Sequence, residues 1–404
     1  METENSITTS GDGIFYVGLV LSIVRYMIPE TTLELPVLLP ILRGLVLVII
    51  TIQLIIAFPK YETLEKQIIL LVFFFVILIG IGTQNRFGTI YSLFALIVGA
   101  KNIDFKSILN VYYKTGAILC ITVVLFSYFG IIENRAVLVE GHGLLETSTI
   151  RYCMGYIWPT DFATHVFFIL LAYWIAKDGR MTFLHYFTFS IIIYIVYRLS
   201  DSKLGCGCMI LLLFFSCVLR LRQWLVLKFS NIDNYSFIKK ILWMSYIPFL
   251  FAIMAYISSS YDEADPNWII VDVALSGRLH ISQEALDKEG YTWFGQEYEL
   301  IGGEADENLY NYIDSSYLQA LVIYGIVFSI LLLLSYIFIV GQAYRRKDYT
   351  FLYAIIVVGI SGAIAQHFLQ VYMNPLWLAL TANVMVPNAD SQQEDTMQYE
   401  EMSL

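Results

Sequence analysis

The sequence predicts an all-α polytopic membrane protein of about twelve transmembrane helices, and three observations predict it. Of the 404 residues, 58% are hydrophobic and only 14% are charged, with a mean hydropathy of +0.67, which excludes an ordinary water-soluble protein. Apolar runs long enough to cross a hydrocarbon core of about 30 Å recur along the whole chain. Basic residues collect in alternate connections between these runs. Single-span receptors and secreted enzymes are excluded.

In order, the candidate spans are 14–29, 36–58, 67–83, 87–100, 112–132, 161–176, 183–199, 203–219, 241–258, 317–341, 350–372 and 375–386. The opening residues METENSITTSGDG lack the basic region and small-residue cleavage site of a secretory signal, so the first run is expected to be a retained span. The runs at 87–100 and 375–386 are short and are expected to tilt or re-enter. This divides the chain into a bundle over 1–258, a hydrophilic loop with short amphipathic helices over 259–316, three further spans over 317–386, and an acidic tail over 387–404.

Alternate connections carry Lys60 and Lys66; Lys101, Lys106 and Lys114; Lys177 and Arg180; Arg220, Arg222, Lys228, Lys239 and Lys240; then Arg345, Arg346 and Lys347. By the positive-inside rule these fifteen mark the cytoplasmic side, which places both termini inside and the 259–316 loop outside. The other nine bases are Arg25, Arg43, Arg86, Arg135, Arg151, Arg198, Lys203, Arg278 and Lys288. Ten of the inner fifteen are lysine, whereas seven of the outer nine are arginine. Topology needs only positive charge; the planar guanidinium fork additionally holds phosphate oxygens in pairs and keeps its proton. The asymmetry therefore points to an anionic ligand on the outer side, against the simpler expectation that these arginines snorkel and pair with outer acids.

The net charge of −10 is local, because residues 259–316 hold thirteen acids against Arg278 and Lys288. The rest of the chain is close to neutral, so nothing suggests a nucleic-acid surface. The five cysteines fit neither a disulfide framework nor a zinc spacing. Most of the 29 tyrosines are expected in interfacial belts, with Trp158, Trp268, Trp293 and Trp377 as candidates for sugar stacking. No repeat of 20–50 residues is visible, which argues against a transporter built from duplicated bundles. The cytoplasmic connections lack a phosphate-cradling glycine loop and an aspartate pair for a metal nucleotide, so an ATP-driven pump or nucleotide-sugar transferase is not expected. Chemistry is expected outside.

Two outer segments are long enough to form a site, 133–160 and 259–316. In the first, RYCMGYIWPTD places Arg151 before a turn of Gly155, Tyr156 and Pro159, suited to hold the guanidinium at the membrane surface; His142 between two glycines reads as a solvated loop tip. In the second, SGRLHISQEALDKEGYTWFGQ carries Leu279, Ile281, Ala285 and Leu286 at the spacing of a short amphipathic helix lying on the bilayer between Arg278 and Gly290. Asp262 to Asp272 read as a solvated face. In DSSYLQALVIYG, Ser315 or Ser316 after Asp314 is expected to cap the following span. His367, in GAIAQHFLQVYMNP near the outer end of its span, is a proton acceptor at a depth where polar groups are costly.

RYCMGYIWPTD, SGRLHISQEALDKEGYTWFGQ, DSSYLQALVIYG and QHFLQVYMNPLWLAL, with the span count and one dominant late outer loop, resemble the Wzy-like polymerases of bacterial capsule and O-antigen assembly. The serine or threonine plus arginine frequent after the seventh span in such proteins stands here as Asp201, Ser202 and Lys203, so no arginine role is carried to that turn. The resemblance implies a multi-pass protein of the bacterial cytoplasmic membrane. It implies a glycosyltransferase that joins undecaprenyl-pyrophosphate-linked oligosaccharide units at the outer face without ATP, a nucleotide sugar or another cofactor. No divalent metal is expected either, since no outer cluster offers the spacing of a phosphate-bridging site and arginines can supply the charge. A flippase and a chain-length regulator are the implied partners.

On that basis Arg151 and Arg278 are the expected pyrophosphate-binding residues, with Arg198 and Arg25 next. His367 is the expected general base, Asp314 its rival or orienting partner, and Tyr156 and Tyr317 the expected substrate-lining residues. Were a divalent ion needed, Glu297, Glu299, Glu304 and Asp306 would be the acids to supply it. The rival functions are an O-antigen ligase type of transferase, a lipid-linked oligosaccharide flippase, whose charges would line a central cavity, and a structural scaffold.

Overall fold

A computed structural model describes residues 10–139, 149–228, 237–275, 277–302 and 311–384. His142, Ser276, Glu304, Asp306 and the 387–404 tail lie outside the described residues. The helices are α1 (Ser10–Met27), α2 (Leu38–Ala57), α3 (Thr63–Gly82), α4 (Phe87–Gly99), α5 (Phe105–Tyr128), α6 (Pro159–Ala176), α7 (Phe183–Ser200), α8 (Lys203–Lys228), α9 (Phe237–Ser259), α10 (Pro266–Ala274), α11 (Arg278–Glu289), α12 (Ser316–Val322), α13 (Gly325–Arg345) and α14 (Tyr349–Ile364). Among the described residues nine of them, α1 to α3, α5 to α9 and α13, are long and apolar enough to cross a membrane, with α4 and α14 shorter but apolar.

The distribution of side chains is that of a protein whose solvent is lipid. Ile41, Ile55, Leu64 and Phe183 face outward, while Gln53, Asp161, His165, His367 and Asn374 are buried. Water would oppose both arrangements, whereas hydrocarbon favours the first and polar partners inside the bundle permit the second. The hub is α6, whose span is 78% buried and which packs against α5, α7, α8 and α14. Helix starts follow local chemistry: Asp104 accepts from Ser107 N at 2.7 Å at the head of α5, and Glu62 with Glu65 closes a capping box on α3.

Connections sort into two ends. At one end Lys101 meets Glu65, Lys106 meets Asp178 at 2.7 Å, and Thr350 bonds Asp178 O. At the other end Ile157 N bonds Glu30 O, Arg86 bonds Tyr298 O, and Thr149 reaches Asp201. We call these the lysine end and the loop end. Lys101 and Lys106 thus lie at one end of the bundle and Arg86 at the other.

Three departures from the sequence pattern occur at or near the loop end. The 133–160 segment forms an antiparallel pair, β1 (Ala136–Val139) with β2 (Thr149–Tyr152), in which Val137 faces Arg151. The expected span 317–341 is broken between α12 and α13. Residues 292–296 dip into the break, with Ile326 N bonding Thr292 O and Gln296 N bonding Ile323 O. Gly295 and Gly325 permit this approach, since a Cβ on Gly325 would stand 2.4 Å from Gly295 N and φ there is +90°. Finally, the expected span 350–372 stops as a helix at Ile364.

Beyond Ile364 the chain crosses the bundle without an α-helix. Ser316 N and Oγ bond Ala365 O at the loop end, while Asn383 exchanges hydrogen bonds with Ile103 and Phe105 at the lysine end. Between them lie two 3₁₀ turns, Gln366–Leu369 and Pro375–Leu380, almost wholly buried. As far as residue 384, the run expected over 375–386 is therefore an irregular strap held inside protein, the setting in which non-helical backbone is tolerated at membrane depth. Asn374, fully buried, donates to Tyr336 Oη and Phe368 O and accepts from Leu376 N. Asn374→Ala leaves these groups unpaired and is expected to destabilise the chain by about 3 kcal/mol. Thermal unfolding in detergent checks this; an unchanged midpoint would show that the strap is held by packing alone.

Candidate functional site

The loop end gathers ionisable side chains from four parts of the chain. The turn after β2 pairs with the connection after α1: Thr32 N bonds Gly155 O and Ile157 N bonds Glu30 O. The RYCMGYIWPTD turn was expected to hold a guanidinium; it holds the Glu30 connection instead. Glu30 then points into the bundle, where Oε2 lies 2.7 Å from His165 Nε2 and Oε1 accepts from Tyr372 Oη at 2.7 Å. Tyr372 stacks flat on Tyr26, whose neighbour Arg25 lies over the Tyr26 ring at 3.8 Å.

His367 is 4% exposed. Its Nδ1 lies 3.2 Å from Gln370 Oε1, and its Nε2 faces Asp161 Oδ1 at 3.9 Å. An Nδ1–H donated to Gln370 leaves Nε2 as the nitrogen that takes a proton, and Glu30 lies within electrostatic reach to compensate the imidazolium. Asp161 and His165 are four residues apart on α6, so both project from one helix face, and Asp161 lies within electrostatic reach of Glu30 and Asp314.

Arg278 opens α11 after Gly277 in the left-handed region. Its Nε lies 3.2 Å from Asp314 Oδ2 without the alignment of a hydrogen bond, and Nη1 donates to Leu275 O at 3.1 Å. Nε thus faces a carboxylate without hydrogen-bonding it, while Nη1 is spent on a backbone carbonyl. The chain just after Asp314 is tied to the strap that carries His367 through Ser316, whose Oγ donates to Ala365 O and accepts from Phe368 N. Of Ser315 and Ser316, either of which was expected as a helix cap, Ser315 takes the N-cap position of α12 without a side-chain cap bond, and the Ser316 hydroxyl staples the histidine-bearing strap. Burial pushes the Asp314 carboxyl above its usual range, and the Arg278 charge offsets only part of this. A folded-state pKa above the unfolded one contributes stability below the unfolded value that is lost as pH rises through the folded value. Asp314→Asn is therefore expected to gain thermal stability relative to the wild type as pH rises above the ordinary carboxylate range. A constant difference across that window would mean that Arg278 compensates the ionised carboxylate completely.

The remaining expected site residues are scattered. Arg151 reaches Asp201 at 3.1 Å in the α7–α8 turn, with its Nε lacking an acceptor among the described residues; an arginine meets that turn from β2 although the turn itself has none. Arg198 is exposed on α7. Tyr317 is buried and donates to Gly359 O, so it packs the core instead of lining an open cleft. Tyr156 is buried against His165, with ring centroids 5.1 Å apart. Trp377, expected outside, is a core residue donating to Phe368 O. Asp272, expected on a solvated face, is buried and accepts from Leu279 N at 2.6 Å, fastening the start of α11; α11 itself buries Ser282 with Leu279, Ala285 and Leu286 where Ile281 was expected.

Sequence reasoning missed Glu30, Asp161, His165 and Tyr372 as one group. The Asp-x-x-x-His spacing inside an apolar span was a usable signal, since two ionisable groups on one buried face are costly unless partnered; Glu30 and Tyr372 arrive only through tertiary contacts. Among the described residues no group of three His, Cys, Asp or Glu side chains is arranged to hold a metal ion. No family model, curated protein or solved structure matches the chain.

Proposed function

We propose that the protein is a glycosyltransferase of the outer membrane face that polymerises oligosaccharide units carried on undecaprenyl pyrophosphate. The observation that carries this reading is a chain of ionisable groups at the loop end: His367 faces Asp161, Asp161 lies within electrostatic reach of Asp314, and Asp314 is ion-paired with Arg278. Its two ends supply the two things the reaction needs. The acceptor hydroxyl attacks the anomeric carbon, its proton passes to His367 Nε2, and the bond to pyrophosphate breaks with the electron pair leaving on the phosphate oxygen. Arg278 receives that developing charge. Energy comes from the glycosyl-pyrophosphate bond, so no nucleotide and no metal takes part.

Asp314, in contact with the arginine, serves to orient it, and His367 serves as the base. Because His367 is almost inaccessible, the acceptor must enter along the 366–372 strap. The loop end faces outward in this proposal and both termini lie in the cytoplasm, a reading supported by the positive-inside rule applied to the lysines at the opposite end. In cells lacking the protein, single repeat units are expected to accumulate on lipid at the outer leaflet. Units trapped on the cytoplasmic side would instead favour a flippase, and full-length free polymer that fails to reach a lipid A core would favour a ligase.

A further inference from the structure

A cavity of about 130 Å³ lies at the loop end between α1, α4, the α12–α13 break and the 366–372 strap. At about 30 Å³ per water it has room for roughly four waters, or for one phosphate or carboxylate group with its nearest hydroxyls. Its wall includes Arg86, Gln319, Gln370, Tyr324, Tyr26 and Tyr372. The donors and acceptors on this wall are oriented. Gln370 turns Oε1 to His367, and its amide N–H groups have no acceptor among the described residues. Gln319 spends its amide on Ile313 O, and its side-chain carbonyl oxygen has no donor among the described residues.

Arg86 is the distinctive group. Arg278 and Arg151 each lie against an acid. Arg86 is half-buried and donates to the carbonyl of Tyr298 and toward the Tyr324 hydroxyl. Among the described residues no carboxylate lies within ion-pair distance of it. A cation kept from bulk water beside a polar cavity, and held by neutral oxygens only, is complementary to an oxyanion. Amides and tyrosine rings around it suit the hydroxyls and faces of a sugar.

We infer that this cavity is a binding subsite for an oxyanion borne on the glycan substrate, gripped by Arg86 and read by Gln319 and Gln370. The inference rests on the glycan-transfer reading for its ligand class but not for its chemistry. The oxyanion comes either from the lipid pyrophosphate or from an acidic sugar. The strap makes the subsite adjacent to the base, because Gln370 touches both His367 and the cavity, and Tyr372 touches both Glu30 and the cavity.

The test is thermal unfolding of the purified full chain titrated separately with inorganic pyrophosphate, glucuronic acid and glucose. At least one anion is expected to stabilise the wild type while glucose does not, and Arg86→Gln should weaken that anion by about tenfold or more. Arg345→Gln at the lysine end should leave it unchanged. A response to pyrophosphate alone assigns the subsite to the donor lipid, and a response to glucuronic acid assigns it to an acidic sugar. Should Arg86→Gln fail to fold, Thr89→Phe, which fills the cavity from α4, must abolish the same response. Equal responses to all three probes, no response, or an undiminished response in both variants overturns the inference. If His367→Gln polymerises glycan normally while anion binding still depends on Arg86, the transfer reading falls and the subsite stands.

Discussion

His367→Gln is expected to slow glycan polymerisation by about 10²- to 10⁴-fold at unchanged protein level, the range contributed by a positioned general base. Glutamine retains a polar group of similar reach for Gln370 but offers no nitrogen that takes a proton. Asp161→Asn should reproduce part of the loss, because Asp161 is the group that faces His367 Nε2, at 3.9 Å. The same comparison tests Asp314 as the rival base. Asp314→Asn should leave much more activity than His367→Gln, since Asp314 contacts the arginine and the amide still provides an acceptor oxygen. Glycan length on a gel, with protein level followed by immunoblot, provides the measurement. Full-length polymer from His367→Gln would remove the histidine from the chemistry.

Arg278→Lys is expected to raise the barrier by about 2 kcal/mol, roughly thirtyfold in rate, if the contact tightens as pyrophosphate leaves. Charge is conserved in this substitution, so topology and long-range attraction are preserved and only the paired Nε–Nη2 edge is lost. Arg151→Lys should have a smaller effect than its sequence setting suggested. That arginine joins β2 to Asp201 in the α7–α8 turn, and a partly exposed ion pair contributes about 1 kcal/mol or less. Arg345→Lys, on the lysine end, should have none. Normal polymer length with Arg278→Lys would mean that the guanidinium merely holds α11 against Asp314.

Much of the architecture was legible because hydrocarbon imposes a simple constraint. Runs such as Leu38–Ala57 and Gly325–Arg345 must satisfy their backbone within a helix, and apolar length alone reveals them. The strap over 365–383 was not legible, because its sequence, QHFLQVYMNPLWLAL, is as apolar as a helix and its turns are stabilised by Ser316, Tyr112 and Thr381 reaching across the bundle. The hairpin was hidden for a related reason: its four-residue strands are too short to display an alternation. Arg278, Asp314 and His367 could be singled out as ionisable groups in costly places, yet their relation depends on one serine staple. Glu30 could not, since its place beside His165 follows from the backbone pairing of residues 30–32 with 155–157.

The central claim is that this chain alone elongates lipid-linked glycan, using the base and guanidinium of the loop end. Its most direct test is reconstitution of the purified full chain in vesicles containing undecaprenyl-pyrophosphate-linked repeat units, with EDTA present and nucleotides absent. The account predicts a ladder of products differing by one repeat unit, lost in His367→Gln and shortened in Arg278→Lys. Folded wild-type protein that leaves every unit unextended, or that only moves units across the bilayer, would contradict it.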